Sequence, residues 1–189
     1  MTESYLFKEL LPVQSDSATP AQAKLLAQAK AAVGFIPNMY RGMVNLPGYL
    51  DTYLHGYRLF REQGGFSPAE QEVVFLAVSK QNGCNYCTAA HSTLAASYSG
   101  VPMDVLESIR SDSPIQDGKM AALYAMTVEI TNTRGHPSPA TVKAFFEAGY
   151  SEKEILAITL AVSVKILSNY SNHYFDTPVD EVFSAYRVK

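Results

Sequence analysis

The sequence predicts an all-α helical bundle folded as one domain. Three observations carry that prediction. Glycine and proline punctuation recurs at Gly34, Gly64-Gly65, Gly83 and Gly100-Val101-Pro102, in positions that stop helices. Serine capping boxes open two long apolar runs, at Ser67 and Ser151. No run shows the period-2 alternation of a half-buried strand. In order, Thr19-Pro20 offers an N-cap and a first-turn proline, and Gly34 ends that helix. Ile36–Tyr40 starts a short second piece, and Pro47 to about Glu62 forms a third helix closed by Gly64-Gly65. Ser67-Pro-Ala-Glu70 opens a helix reaching about Asn82, which Gly83 breaks. A new helix starts at or near Cys84 and runs to Tyr98. Later helices cover about Met103–Arg110, Gly118–Thr133, Pro139–Ala148 and Glu152–Tyr174.

A length of 189 residues, 47% hydrophobic and 17% charged, suits one soluble domain with a sizeable core. The net charge of −3, without a basic stripe, argues against nucleic acid as a partner. Met1–Glu9 lacks a cationic start followed by an apolar run, so no signal peptide is expected. The apolar run Ile155–Ile166 falls short of the roughly 20 residues that span a bilayer, so no membrane is expected either. The expected compartment is cytoplasmic, where thiols are kept reduced and a close cysteine pair points to catalysis or metal binding.

Residues 65–87 resemble residues 149–171 at an offset of 84, with nine identities: Gly65, Ser67, Glu70, Leu76, Ala77, Val78, Ser79, Asn85 and Tyr86. The units, about 65–92 and 149–176, read as two related helical hairpins in one core. The chemistry does not repeat. Glu72 matches Leu156, Cys84 and Cys87 match Ser168 and Ser171, and His91 matches Phe175. Asn85 and Tyr86 read as shared scaffold.

The two cysteines are the only ones in the chain. On a helix, Cys84, Cys87 and His91 share one stripe, neighbours lying roughly 5–6 Å apart at Cβ. Glu72 sits on the preceding helix, about 18 Å from Cys84 if that helix were continuous. A reversal at Gly83 brings it back to His91 instead, giving a line Glu72, His91, Cys87, Cys84. A free thiol has a pKa near 8.5 and needs about 2.7 kcal/mol to become mostly thiolate at neutral pH. A helix N-terminus supplies typically about 0.3–1 kcal/mol. A histidine that takes the thiol proton, oriented by a carboxylate, supplies the remainder. Glu72 precedes a run apolar all round, so it is buried and needs a partner, for which His91 is the candidate.

Three other readings stay open. A structural disulfide would close a tiny loop and constrain the unfolded chain little. A zinc site has Cys, Cys and His available, but its fourth ligand must come from His55, His136 or His173. The cysteines could also be inert core residues. His55 and His136 read as surface or turn histidines, and His173 as lining a pocket or an interface. Twelve tyrosines and no tryptophan suggest semi-polar packing faces.

The pattern Glu72-x11-Cys84-x2-Cys87-x3-His91 on a helical chain resembles the alkylhydroperoxidase AhpD-like group of the carboxymuconolactone decarboxylase superfamily. Gly34–Asn38 and Asn172–Asp180 resemble its peroxidase-related branch. The resemblance covers residues 30 to 180 and implies an AhpD-like helical bundle. It implies a thiol peroxidase reducing hydrogen or alkyl hydroperoxides in antioxidant defence, with no cofactor and no metal. Cys87 would be the attacking cysteine and Cys84 the resolving one, with His91 as activator and Glu72 as proton relay. It also implies a dithiol reductant, in the namesake a protein-bound lipoyl group, and a homo-oligomer (dimer, trimer or hexamer). The namesake carries histidine immediately before the second cysteine, where this chain has Tyr86. A thiol–disulfide oxidoreductase, or a redox sensor without peroxidase activity, is the alternative.

Overall fold

The computed structural model describes residues 6–188; Met1–Tyr5, part of the N-terminal segment read above for a signal peptide, lie outside them. Nine α-helices follow one another, with no strand among the described residues: α1 Pro20–Val33, α2 Asn38–Met43, α3 Pro47–Gln63, α4 Pro68–Gln81, α5 Asn85–Ser97, α6 Met103–Ser111, α7 Gly118–Thr133, α8 Pro139–Glu147 and α9 Glu152–Phe175. A 3-10 turn, Glu181–Tyr186, closes the chain and packs on α5.

The predicted punctuation is what bounds these helices. Thr19 forms a full capping box with Gln22, Ser67 with Glu70 and Ser151 with Glu154. Gly34 leaves α1 in the left-handed conformation, φ 87°, which costs glycine little and other residues more. Asp112, Arg134 and Asp176 adopt the same conformation at other helix ends without being glycine.

Helix α4 is the centre of the bundle. Every residue from Glu70 to Ser79 is buried, and α5, α6, α7 and α9 all pack against it. One core lies around Phe60, Phe75, Leu106, Leu123, Met126 and Phe145. A second, formed by α1, α2, α3 and the start of α5, surrounds the cysteines.

The expected second hairpin is not one. The segment matching α4, Gly83 and α5 runs as a single uninterrupted helix of 24 residues, α9, close to the helix expected over Glu152–Tyr174. Gly83 turns the chain with φ 64°, whereas its counterpart Leu167 continues the helix. This also makes α9 longer than the apolar run read from sequence. It is long and apolar enough by composition to cross a membrane, and here it packs in the bundle.

Candidate functional site

Gly83 and the start of α5 set the thiols. After the left-handed turn, Cys84 takes an extended backbone and caps α5, its Sγ accepting the Cys87 N–H at 3.4 Å. Both cysteines are free thiols, each 1% exposed. Helix α9 supplies their surroundings. Asn172 donates through Nδ2 to Cys87 Sγ at 3.3 Å and to Cys84 Sγ at 3.5 Å. Ser168 Oγ lies 3.8 Å from Cys87 Sγ.

Glu72 meets His91 as the reversal at Gly83 predicts, with Oε2 2.8 Å from Nδ1. Its other oxygen takes an ion pair from Arg61 at 2.6 Å and a bond from Ser99 at 3.4 Å. Arg61 also donates to the Tyr57 hydroxyl and lies over the Tyr57 and Phe75 rings. The other side of His91 differs from the expected line. Nε2 faces Lys165 Nζ of α9 at 3.0 Å, and among the described residues the ring makes no hydrogen bond to Cys87. The order is Glu72, His91, Lys165, with Cys87 beside the lysine.

This arrangement fixes protonation states. A carboxylate on Nδ1 and an ammonium on Nε2 select the neutral tautomer with hydrogen on Nδ1. His91 is held below the ordinary imidazole value, first by burial and then by the Lys165 charge, against the pull of Glu72. Burial raises the Glu72 carboxyl, but His91 and Arg61 outweigh it and keep the group below the usual carboxylate range. Burial also opposes the Cys87 thiolate; the hydrogen bond from Cys84 and the charge and hydrogen bond of Lys165 overcome it, bringing this thiol well below its ordinary value. Cys84 goes the other way, raised by its hydrogen bond to Cys87 and by burial. The two neighbouring thiols are thus shifted in opposite directions, which favours Cys87 over Cys84 as the thiolate.

The four residues expected from sequence come together here. Lys165, Arg61, Asn172 and Ser168 are additions. Lys165 had a sequence signal: it is the lone charge within the apolar run Ile155–Ile166, and a buried charge needs a purpose or a partner. Arg61 had none, since its approach depends on how α3 crosses α4. His55, His136 and His173 are exposed; His55 lies beside Arg58 and His173 stacks on Tyr170. Among the described residues no group of three or more His, Cys, Asp or Glu side chains could hold a metal. Tyr86 is not scaffold shared with Tyr170. It is buried, its hydroxyl 2.5 Å from Asp180 Oδ2, and that carboxylate also accepts from the Asn38 N–H. Tyr170 is 40% exposed.

A pocket of about 520 Å³ leads from the surface to Cys87, His91 and Lys165. Tyr40, Tyr53, Tyr57 and Phe183 contribute rings to its wall, and exposed Val33, Tyr98 and Val182 flank it. Cys87 lines this space and Cys84 does not.

Residues 47–128 match the carboxymuconolactone decarboxylase family, a span containing Glu72, Cys84, Cys87 and His91 but not Lys165. No protein of curated function matches the sequence. Among solved structures, the fold is similar to an alkylhydroperoxidase AhpD core, an uncharacterised peroxidase-related protein from Ralstonia eutropha JMP134. The TM-score is 0.78 at 17% identity, covering 97% of this chain and 96% of that one. A peroxidase-related protein from Silicibacter sp. TM1040 gives 0.69 at 19% identity, covering 95% and 94%. The debrominase Bmp8, as a cysteine-to-alanine variant in complex with 2,3,4-tribromopyrrole, gives 0.76 at 15% identity, covering 96% of each chain.

Proposed function

We propose that the chain is an AhpD-like member of the carboxymuconolactone decarboxylase superfamily, whose family model matches residues 47–128, and that it is a thiol-dependent reductase of hydroperoxides. The observation that carries the reading is the split between the two thiols: Cys87, held below its ordinary value, lines the pocket with His91 and Lys165, while Cys84, raised, lies behind it. The Cys87 thiolate attacks one peroxide oxygen, the O–O bond breaks, and the departing oxygen leaves as an alcohol once protonated. Cys87 becomes a sulfenic acid. The Cys84 thiol then attacks that sulfur, an S–S bond forms and water leaves. An external dithiol exchanges with the disulfide and returns both thiols, a lipoyl-type group being the proposed reductant. The 3.4 Å contact from Cys87 N–H to Cys84 Sγ supports this pairing, because it holds the second sulfur at the first turn of α5.

Dithiol-supported peroxide consumption is expected, abolished in Cys87→Ser and limited to a single turnover in Cys84→Ser. Unchanged turnover in Cys87→Ser sinks the reading.

The pocket favours a second reading. Its volume and aromatic wall exceed what a small hydroperoxide needs, and the debrominase likeness supports reductive dehalogenation by the same pair. Cys87 would take the halogen from an aromatic ring, the ring carbon would gain a proton, and Cys84 would displace halide to form the same disulfide. Bromide released from 2,3,4-tribromopyrrole in the presence of dithiol, without peroxide consumption, would select it.

A further inference from the structure

Lys165 is 1% exposed, and among the described residues no carboxylate pairs with it. Its Nζ lies 3.0 Å from His91 Nε2 and 5.6 Å from the centre of the Phe75 ring, and it shares the pocket wall with Cys87. A buried ammonium is costly without a counter-charge. The Cys87 sulfur is the group at hand that can carry one. His91 cannot fill the lysine's place at the pocket: its Nδ1 hydrogen is committed to Glu72, and Nε2 accepts from Lys165.

We propose that Lys165 is a catalytic residue: its ammonium holds Cys87 as the thiolate and gives its proton to the oxygen that leaves when the O–O bond breaks. His91, Glu72 and Arg61 position it. This rests on the hydroperoxide-reductase reading above. The charges balance at each stage. The resting site holds Lys165 ammonium and Cys87 thiolate. Attack forms the S–O bond, breaks the O–O bond and moves one proton from Nζ to the departing oxygen. A neutral amine, a sulfenic acid and an alcohol remain, so no net charge is created in a buried site. Condensation with the Cys84 thiol releases water. Exchange with an external dithiol supplies two protons: one restores the Cys84 thiol, and the other recharges Lys165 as Cys87 returns to thiolate.

The test uses Lys165→Met, which removes the charge at nearly constant volume, with Lys165→Gln as a second variant. Ultraviolet thiolate absorbance in a Cys84→Ser background reports the Cys87 titration without any turnover. It is expected to move to higher pH by a unit or more in both variants, about a tenfold loss of thiolate at a given pH below it. Single-turnover rates are then compared for an alkyl hydroperoxide and a peroxyacid, whose carboxylate leaves without needing a proton. Corrected for thiolate content, Lys165→Met is expected to lose about 100-fold more on the alkyl hydroperoxide. Equal losses on both oxidants overturn the acid role, and an unmoved titration overturns the thiolate role. A wild-type protein inert to both oxidants instead overturns the reductase reading, and the titration, which needs no turnover, separates that failure from the failure of Lys165.

Discussion

Residues 65–87 and 149–171 share a left-handed glycine, a serine capping box, a Leu-Ala-Val-Ser run and an Asn-Tyr pair, yet one folds back on itself and the other runs straight. Their shared parts behave alike. Gly65 and Gly149 have φ of 79° and 94°, and Ser79 and Ser163 each return a hydroxyl bond to the carbonyl four residues earlier. Their paths part where Gly83 faces Leu167. Beyond that point, identical residues meet different surroundings: Tyr86 is tied to Asp180, while Tyr170 stays at the surface. The straight copy is not idle. From α9 it brings Ser168 and, one residue past the matched span, Asn172 to the thiols of the bent copy, and Lys165 to the His91 that follows them. A local pattern can thus be shared by two segments while a single turn residue decides which one carries the reacting groups and which one surrounds them.

The sharpest way to break this comparison is to write the straight copy's residue into the bent one. Glu72→Leu, after Leu156, strands Arg61 and His91 in the core and is expected to cost about 3–5 kcal/mol in denaturant unfolding. A cost near 0.5 kcal/mol, as for an ordinary surface change, would mean that Glu72 does not hold the pair together.

The tyrosines come next. Tyr86→Phe loses a hydrogen bond to a carboxylate and is expected to cost about 1.5–3 kcal/mol, against about 0.5 kcal/mol or less for Tyr170→Phe. Equal losses would return Tyr86 to the role of shared scaffold.

Gly83→Leu forces a side chain into the left-handed region and is expected to cost about 1–2 kcal/mol, with slower reaction of Cys87 toward a thiol probe. No atom stands within 4 Å of a Cβ built there, so the Cβ itself meets no clash and the left-handed backbone is what the substitution strains. An unaffected melting temperature would sever the link between the turn and the site.

The smallest effect is a slope. Because His91 is held below its unfolded value of about 6.5, the unfolded chain binds a proton that the folded chain refuses, and stability falls as pH drops through that window. The depressed Glu72 carboxyl adds stability that persists above its unfolded pKa and is lost at lower pH, as the pH falls through its folded value. His91→Phe, after Phe175, is expected to flatten the upper window and to weaken the lower one, since His91 is the main group holding Glu72 down, measured as melting temperature against pH. An unchanged profile would mean that His91 is not the group refusing the proton.

The bounds of the helices were legible because they rest on short-range chemistry. Thr19 and Ser67 satisfy N–H groups three residues on and Ser151 one two residues on, and Gly34 and Gly83 need only their own backbone freedom. The meeting of Glu72 with His91 was legible for a related reason: one reversal between adjacent helices brings them level. The partner on the far side of His91 was not, because Lys165 lies 74 residues away and arrives only through the packing of α9.

The sequence by itself determined a helical chain with one cysteine pair, a histidine one turn behind it and a carboxylate on the neighbouring helix. Periodicity, caps and spacing within a hairpin suffice for that. Only the tertiary structure decided that the single buried lysine of α9 meets His91 beside Cys87, and that Arg61 secures Glu72. Those outcomes depend on how distant helices cross and on which burial leaves a charge in need of a partner, and neither is written in any short stretch of the chain.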